Sequence, residues 1–520
     1  MEALFNERND NVRSRKTLLN ITSNLLLQII IVLYGFIVPK IIINLFGSNV
    51  NGLISSITQF LSYIILFESG FGPVLKSILY KPIAKKDKNT IESILKTSEM
   101  FFRKISMLFL IYIFILCFLY PIFINNEFEL FYTISLIIII GISSFAEYYF
   151  GMTYKLYLQA EQKNYIISII QIITYILAII SILVMAKLNC SIHIIKLISG
   201  LIFVIRPLLQ NMYVKRKYNI SFKNKENYVI KQKWDGLAQH IAGVIHVNSD
   251  ITILTIFNSL IDVSIYSVYY LVVRGIKSII QAFTNGIDAI FGDMIVKNEK
   301  ENLKRKFSMY ETVYNSIITI IYSCALVLIV PFVSVYTKNI IDANYIQPLF
   351  GFVLVLSELV WAIRLPYTSI TYSAGHFKET KIGAWIECFT NIIISVLLVT
   401  QFGLVGVAFG TLIAMTIRTI EFVYHTNRYI LDRSIIDNIK KIIIIAIETS
   451  LIIAISNSVP MILNNSYLNL AFNALMVFVI SIIVTIGINY LFFKQDYVEF
   501  INIIKNSIKR KKENKWKQYL

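Results

Sequence analysis

Arg274, Lys277, Gln281, Asn285 and Asp288 recur at intervals of three or four inside the otherwise apolar run 263–296. That spacing places all five on one face of a helix, in a stripe about 80° wide at roughly 100° per residue. Two cations one turn apart repel each other unless an anion answers them. Asp250 or Glu68 is a carboxylate that could do so, and so is a phosphate brought by a ligand. Arg364, in Trp361-Ala-Ile-Arg364-Leu-Pro366 with Glu358 close by, is a third cation inside an apolar run. The chemistry on offer is recognition of an anion: a guanidinium grips oxygens in pairs, whereas a lysine supplies a point charge. A charge at mid-bilayer is costly and normally faces a bundle interior or a wet cavity, so Arg274, Lys277 and Arg364 are the expected anion-binding groups.

Other apolar runs carry matching polar lines. Gln239, Gly243, His246 and Asp250 share one face of 236–258. Ser55, Gln59, Ser62, Ser69 and Lys76 align in 50–80, with Glu68 and the Gly70/Gly72 pair beside them, and 17–46 adds Asn20, Asn24 and Gln28. Such lines fit the walls of a central cavity. The competing reading is that they are hydrogen bonds and ion pairs between packed helices, which is the expectation for any single Ser, Asn or Gln. Glu68, His246, Asp250, Gln281, Asn285 and Asp288 are the expected cavity-lining or ion-coupling residues, with H+ or Na+ as the coupling ion.

No catalytic signature accompanies them. The chain has no phosphate-binding glycine loop, dinucleotide fingerprint or nucleophile elbow, and no cofactor is expected. Cys117, Cys190, Cys324 and Cys388 are scattered without paired spacing, and His240 and His246 lie six apart rather than on one helix face, so no metal is expected.

The elements that must position these groups are membrane helices. Of 520 residues, 56% are hydrophobic and 15% charged, more apolar surface than a soluble domain could bury. Crossing takes about 20 apolar residues. Spans are expected near 17–46, 50–80, 104–125, 129–154, 164–186, 190–213, 236–258, 263–296, 308–335, 345–374, 380–400, 403–425, 441–461 and 467–493, about fourteen in all. The great majority of the 49 Lys and Arg fall in alternate loops, which the positive-inside rule assigns to the cytoplasm together with both termini. Lys40, Lys76, Lys196 and Arg418 lie nearer span ends, where long side chains snorkel. The net charge of +18 follows from this topology, since cytoplasmic loops meet anionic lipid, and nucleic acid is not an expected partner.

Residues 81–103 alternate charge with Ile, Leu and Phe at helical spacing, as a helix lying on the cytoplasmic face would. The longest polar linker, within 215–235, divides two halves that resemble each other: Phe46-Gly-Ser-Asn-Val50 and its span match Phe257-Asn-Ser-Leu-Ile261 and its span. A parallel repeat of this kind is a transporter signature. The expected organisation is an N-lobe over 1–216, a cytoplasmic linker over 217–235, a C-lobe over 236–440, two extra spans over 441–493 and a basic cytoplasmic tail over 494–520.

Several short motifs carry a family resemblance. They are Ser14-Arg15-Lys16-Thr17 through Gln28, Pro39-Lys40, Phe46-Gly-Ser-Asn-Val-Asn-Gly52, Gln59-Phe-Leu-Ser62, Phe67-Glu-Ser-Gly-Phe-Gly72, Leu79-Tyr-Lys-Pro82, Asn248-Ser-Asp250 and Tyr266-Ser-Val-Tyr269. Over nearly its whole length the chain resembles the Wzx-like polysaccharide flippases of low-GC bacteria, in the multidrug/oligosaccharidyl-lipid/polysaccharide exporter superfamily. The resemblance implies an all-α polytopic fold with two lobes of about six helices in a V-shaped pseudo-twofold arrangement, plus two C-terminal helices. It implies residence in the bacterial cytoplasmic membrane and transfer of a polyprenyl-(pyro)phosphate-linked oligosaccharide between leaflets by alternating access, for surface polysaccharide biosynthesis. Membrane lipid, a polysaccharide polymerase and glycosyltransferases are the implied partners, and in relatives cavity cations bind the lipid phosphate. The alternatives are an ion-coupled small-molecule efflux antiporter of the same superfamily, which wants an acidic cavity, and a membrane-embedded sugar-transferring enzyme.

Overall fold

The structure is a computed structural model describing residues 2–68, 70–125, 127–222, 228, 237–284, 287–459, 466–503 and 505, with backbone alone over 2–15, 237–238, 282 and 288–289. Ser69, Asn285, most of the 217–235 linker and nearly all of the basic tail beyond residue 503 lie outside the described residues, as does the side chain of Asp288.

Among the described residues every regular element is helical. In chain order they are α1 (Glu2–Ser62), α2 (Ile64–Glu68), α3 (Phe71–Lys85), α4 (Lys88–Phe123), α5 (Leu130–Ala146), a π-helical turn (Glu147–Gly151), α6 (Met152–Ala160), α7 (Asn164–Lys187) and α8 (Ile192–Tyr218). There follow α9 (Leu237–Phe257), α10 (Leu260–Thr284), α11 (Ile287–Val296), α12 (Lys300–Tyr336), α13 (Pro348–Ser373), α14 (Lys381–Thr426), a second π-helical turn (Asn427–Leu431), α15 (Ile435–Ser458) and α16 (Tyr467–Phe492).

Eleven helical stretches among the described residues are long and apolar enough to cross a membrane, against the roughly fourteen expected from the sequence. Two of them, Lys16–Glu68 and Lys381–Leu431, run 53 and 51 residues, more than twice the ~20 that one crossing needs. Each is broken at a glycine with left-handed φ: Gly47 (φ 83°, ψ 171°) in α1 and Gly403 (φ 53°, ψ −128°) in α14. Only glycine adopts such backbone without strain.

The amphipathic segment within 81–103 is not a separate surface helix. Its break falls at Lys86, which turns left-handed (φ 56°), and Asp87 then caps a new start by accepting from the Thr90 N–H. From Lys88 the helix runs unbroken for 36 residues into the apolar stretch, because nothing near residue 103 interrupts it. At 1.5 Å per residue it is about 54 Å long, so its charged first turns stand clear of a ~30 Å hydrocarbon core. Its apolar half has two faces. Phe109, Leu116 and Tyr120 are buried, whereas Phe114, Phe118 and Ile122 are 65%, 61% and 64% exposed. An exposed aromatic stripe of that size calls for lipid as its cover.

The chain forms two compact units. The first comprises 1–267 with 340–343, and the second comprises 268–339 with 344–520. In the first, Phe60, Phe71, Phe102 and Tyr120 anchor a continuous apolar core. In the second, Phe291, Phe307, Tyr367 and Phe422 form one on α11–α14.

Candidate functional site

In the first unit, α9 is held to the second half of α1 by a line of side-chain hydrogen bonds. Ser56 Oγ and Thr255 Oγ1 lie 2.7 Å apart, Ser62 Oγ donates to Asn248 Oδ1 at 2.9 Å, and Gln59 also donates to Asn248. Tyr63 reaches the Asn248 carbonyl and Thr252 Oγ1, at 3.2 and 3.0 Å. Asn51 Nδ2 donates to Ser264 Oγ on α10 at 2.8 Å. Gly52 permits the contact, since a Cβ there would sit 1.8 Å from the Leu260 carbonyl oxygen. Of the polar residues expected to line a cavity, Gln59 and Ser62 are thus engaged in packing this seam. Asp250 is buried and accepts from Tyr266 Oη at 2.9 Å, and His246 is buried beside it on α9.

Asp342, in the 340–343 loop, accepts from the Ser48 N–H at 2.6 Å and from Ser48 Oγ at 2.8 Å. It caps the helix that restarts after Gly47, satisfying a backbone donor the break would leave open. Sequence reading had no signal for this contact, which spans 294 residues.

Glu68 ends α2, half-buried, where it accepts from Tyr148 Oη at 3.2 Å. Tyr148 belongs to the π-helical turn that also carries Glu147, and Glu147 pairs with Lys155 at 2.8 Å. The turn packs close to α8: a Cβ at Gly151 would lie 2.4 Å from Pro207 Cβ. Such turns widen a helix locally and recur at functional positions.

In the second unit the expected anion-binding residues separate. Lys277 Nζ meets Glu358 at 3.0 and 2.8 Å and stands 4.4 Å from the Trp361 ring centre. The anion answering Lys277 is therefore Glu358, rather than Asp250 or Glu68. Arg364, expected beside Glu358, instead donates to Glu387 Oε1 at 2.7 Å. Glu387 is shared with Arg418 at 3.6 Å, and Arg418 meets Glu421 at 2.5 Å. Arg418 is 3% exposed, so it does not snorkel. On α10, α13 and α14 the sequence thus builds two neutral groups, the pair Lys277–Glu358 and the run Arg364–Glu387–Arg418–Glu421. Breaking one member would leave a buried charge uncompensated.

Arg274 differs from its neighbours. It is exposed, and among the described residues no carboxylate lies within ion-pairing distance of it. Its backbone carbonyl accepts from Ser278 Oγ at 3.0 Å, and Gln281 is exposed one turn farther on. A guanidinium with the exposed Gln281 amide two turns on, in the middle of a spanning helix, presents oxygen-binding donors to whatever occupies that face.

A second buried network joins α12 to the last helices. Glu311, fully buried, takes Arg433 and Lys441 at 2.8 Å each, Asn438 at 3.0 Å and the Tyr367 hydroxyl. By position in the sequence Arg433 and Lys441 fall among the loop charges, and the spacing gives Glu311, Glu387 and Glu448 no partner. The available signal was a carboxylate inside an apolar run, which is as costly there as a cation. Among the described residues no group of three or more His, Cys, Asp or Glu is arranged to hold a metal.

No family model and no curated relative matches the sequence. Solved structures do. The lipid II flippase MurJ in an inward closed conformation is 15% identical, with 92% of this chain and 99% of that one covered and a TM-score of 0.65. An inward-facing multidrug resistance MATE family transporter of the MOP superfamily is 14% identical, covering 76% of this chain and 94% of its own, with a TM-score of 0.55. A MOP superfamily transporter from Pyrococcus furiosus, whose binding pocket of reversed polarity suggests a different function, is 12% identical over 81% and 95% with a TM-score of 0.51. These likenesses establish the fold: the chain is a multi-pass membrane protein with the helical architecture of MOP superfamily transporters.

Proposed function

We propose that this chain is a flippase that carries a polyprenyl-(pyro)phosphate-linked oligosaccharide across the cytoplasmic membrane of a bacterium by alternating access, without an enzymatic step. The observation that carries the reading is Arg274, an exposed cation with no carboxylate partner among the described residues, in a unit whose other intramembrane cations are neutralised within the chain. A phosphate is the anion that fits it, and with Lys277–Glu358 and Arg364–Glu387–Arg418–Glu421 each neutral, Arg274 is the surplus. The polyprenyl tail stays in lipid while phosphate and sugars cross.

Counting each glycine-broken helix as two passes, and α15 as one, gives about fourteen crossings of the kind ~20 apolar residues make. The basic loops then lie in the cytoplasm. The α1–α9 seam suits a part that must open. It is closed by hydroxyls and amides, which exchange protein partners for water at small net cost. Glu68, Asp250 and Asp288 are the carboxylates proposed to couple H+ or Na+ to that motion.

A small-molecule efflux antiporter is the second reading, favoured by the fold shared with the multidrug transporter. The cationic character of the Arg274 face opposes it, because organic cations call for an acidic one. The test is the pool of polyprenyl-linked oligosaccharide in cells depleted of the protein. Accumulation of the complete glycan facing the cytoplasm supports the flippase. An unchanged pool supports efflux, and a truncated glycan supports a sugar-transferring enzyme.

A further inference from the structure

Glu448, on α15, is 1% exposed, and among the described residues no Lys, Arg or His pairs with it. The other buried carboxylates of the second unit differ in this respect: Glu311, Glu358 and Glu387 each hold a cation. One oxygen of Glu448, Oε1, accepts from Asn489 Nδ2 of α16 at 2.6 Å. The other, Oε2, is buried without a hydrogen-bond partner, as are Thr319 Oγ1 on α12 and Thr485 Oγ1 on α16. Thr319 neighbours the Glu448 carboxyl.

This pattern suits a neutral carboxylic acid better than a carboxylate. An ionised group so buried would require a cation or several donors. A neutral acid needs one donor to its carbonyl oxygen, which Asn489 supplies, and its O–H costs far less to bury than a charge.

A route for the proton is also present. Ser308, Thr312, Ser316, Thr319 and Ser323 fall at helical spacing along one side of α12. At its open end, Asp496 accepts from Thr312 Oγ1 at 2.6 Å and from Ser308 Oγ at 3.3 Å, with its side chain 18% exposed. Ser316 Oγ and Tyr497 Oη lie 2.6 Å apart. The nearest cation on the same helix, Lys441, is two turns away and bound to Glu311 at 2.8 Å, with Asp496 3.9 Å from its ammonium.

We propose that Glu448 is a proton-binding site, reversibly forming an O–H bond on Oε2 and loaded along the α12 hydroxyl line from Asp496. The site lies in the last two helices and is independent of the Arg274 face.

The experiment is infrared spectroscopy of the full chain in lipid vesicles, following the C=O stretch of protonated carboxyl groups in the wild type, Glu448→Gln and Thr319→Val. The proposal predicts a protonated-carboxyl band at neutral pH that is missing in Glu448→Gln and displaced in Thr319→Val, with the melting temperature of Glu448→Gln close to that of the wild type. If Glu448→Gln does not fold, the displaced band in Thr319→Val decides. Identical bands in all three proteins would overturn the proposal. So would a band abolished by sodium, which would make the site one for a metal cation.

Discussion

Lys277 and Glu358 form a buried ion pair at 2.8 Å, and the pair changes the standing of Arg274, one turn earlier on the same helix. With Lys277 neutralised from within the chain, Arg274 no longer shares an anion with it and is left facing outward alone. The two cations read as one site in the sequence, and the fold gives them different work.

Removal of Arg274 tests that division. A hydrogen bond to a charged partner contributes about 1.5–3 kcal/mol, so Arg274→Ala should slow translocation of lipid-linked oligosaccharide in reconstituted vesicles by roughly ten- to hundredfold at unchanged melting temperature. Arg274→Lys should recover part of the rate, since it keeps the charge and loses the bidentate grip. Full activity of Arg274→Ala would remove the residue from the site.

Lys277→Met should act on stability instead. It strands Glu358 with its charge buried, at a cost of about 3–5 kcal/mol, and adding Glu358→Gln should return most of that loss. Melting temperatures of the two single variants and the double variant close the cycle. Additive losses would mean that the pair has no coupling.

The Glu311 network is the stronger structural joint. Glu311→Ala leaves Arg433 and Lys441 without their shared anion, a change expected to cost about 3–5 kcal/mol or more. Because Lys441 and Asn438 belong to α15, the expected sign is faster proteolysis in the segments bordering α15 and α16 before the rest of the chain is cut. Uniform cleavage throughout would show that Glu311 does not secure those helices.

Opening of the α1–α9 seam can be arrested covalently. Ser56 and Thr255, whose oxygens lie 2.7 Å apart, are to be replaced by cysteine in a background where Cys117, Cys190, Cys324 and Cys388 are serine or alanine. Oxidation should stop translocation, and reductant should restore it. Undiminished transport by the fully cross-linked protein would mean that the seam does not part during the cycle.

The helical class and the apolar runs were legible because both depend on local composition. The partners of charges were not. Glu358 stands 81 residues from Lys277 and Glu311 stands 130 from Lys441, distances over which no spacing rule operates. Arg418 looked like a snorkelling end residue because its depth depends on where α14 turns at Gly403, and on Glu387 meeting it from the other segment. Glu311, Glu387 and Glu448 also lie inside apolar runs, with nothing in their spacing to mark what they meet. The seam residues Gln59 and Ser62 were visible as a polar line, yet only packing against Asn248 shows that the line faces another helix.

The central claim is that this chain moves a phosphate-linked glycolipid between leaflets. The direct measurement is transfer of polyprenyl-linked oligosaccharide in vesicles containing the purified full chain, with the exposed glycan scored by an impermeant probe. The account predicts that glycan placed in the inner leaflet becomes accessible with wild-type protein, and far more slowly with Arg274→Ala. Accessibility no different from protein-free vesicles, with uptake of an organic cation by the same preparation, would contradict it.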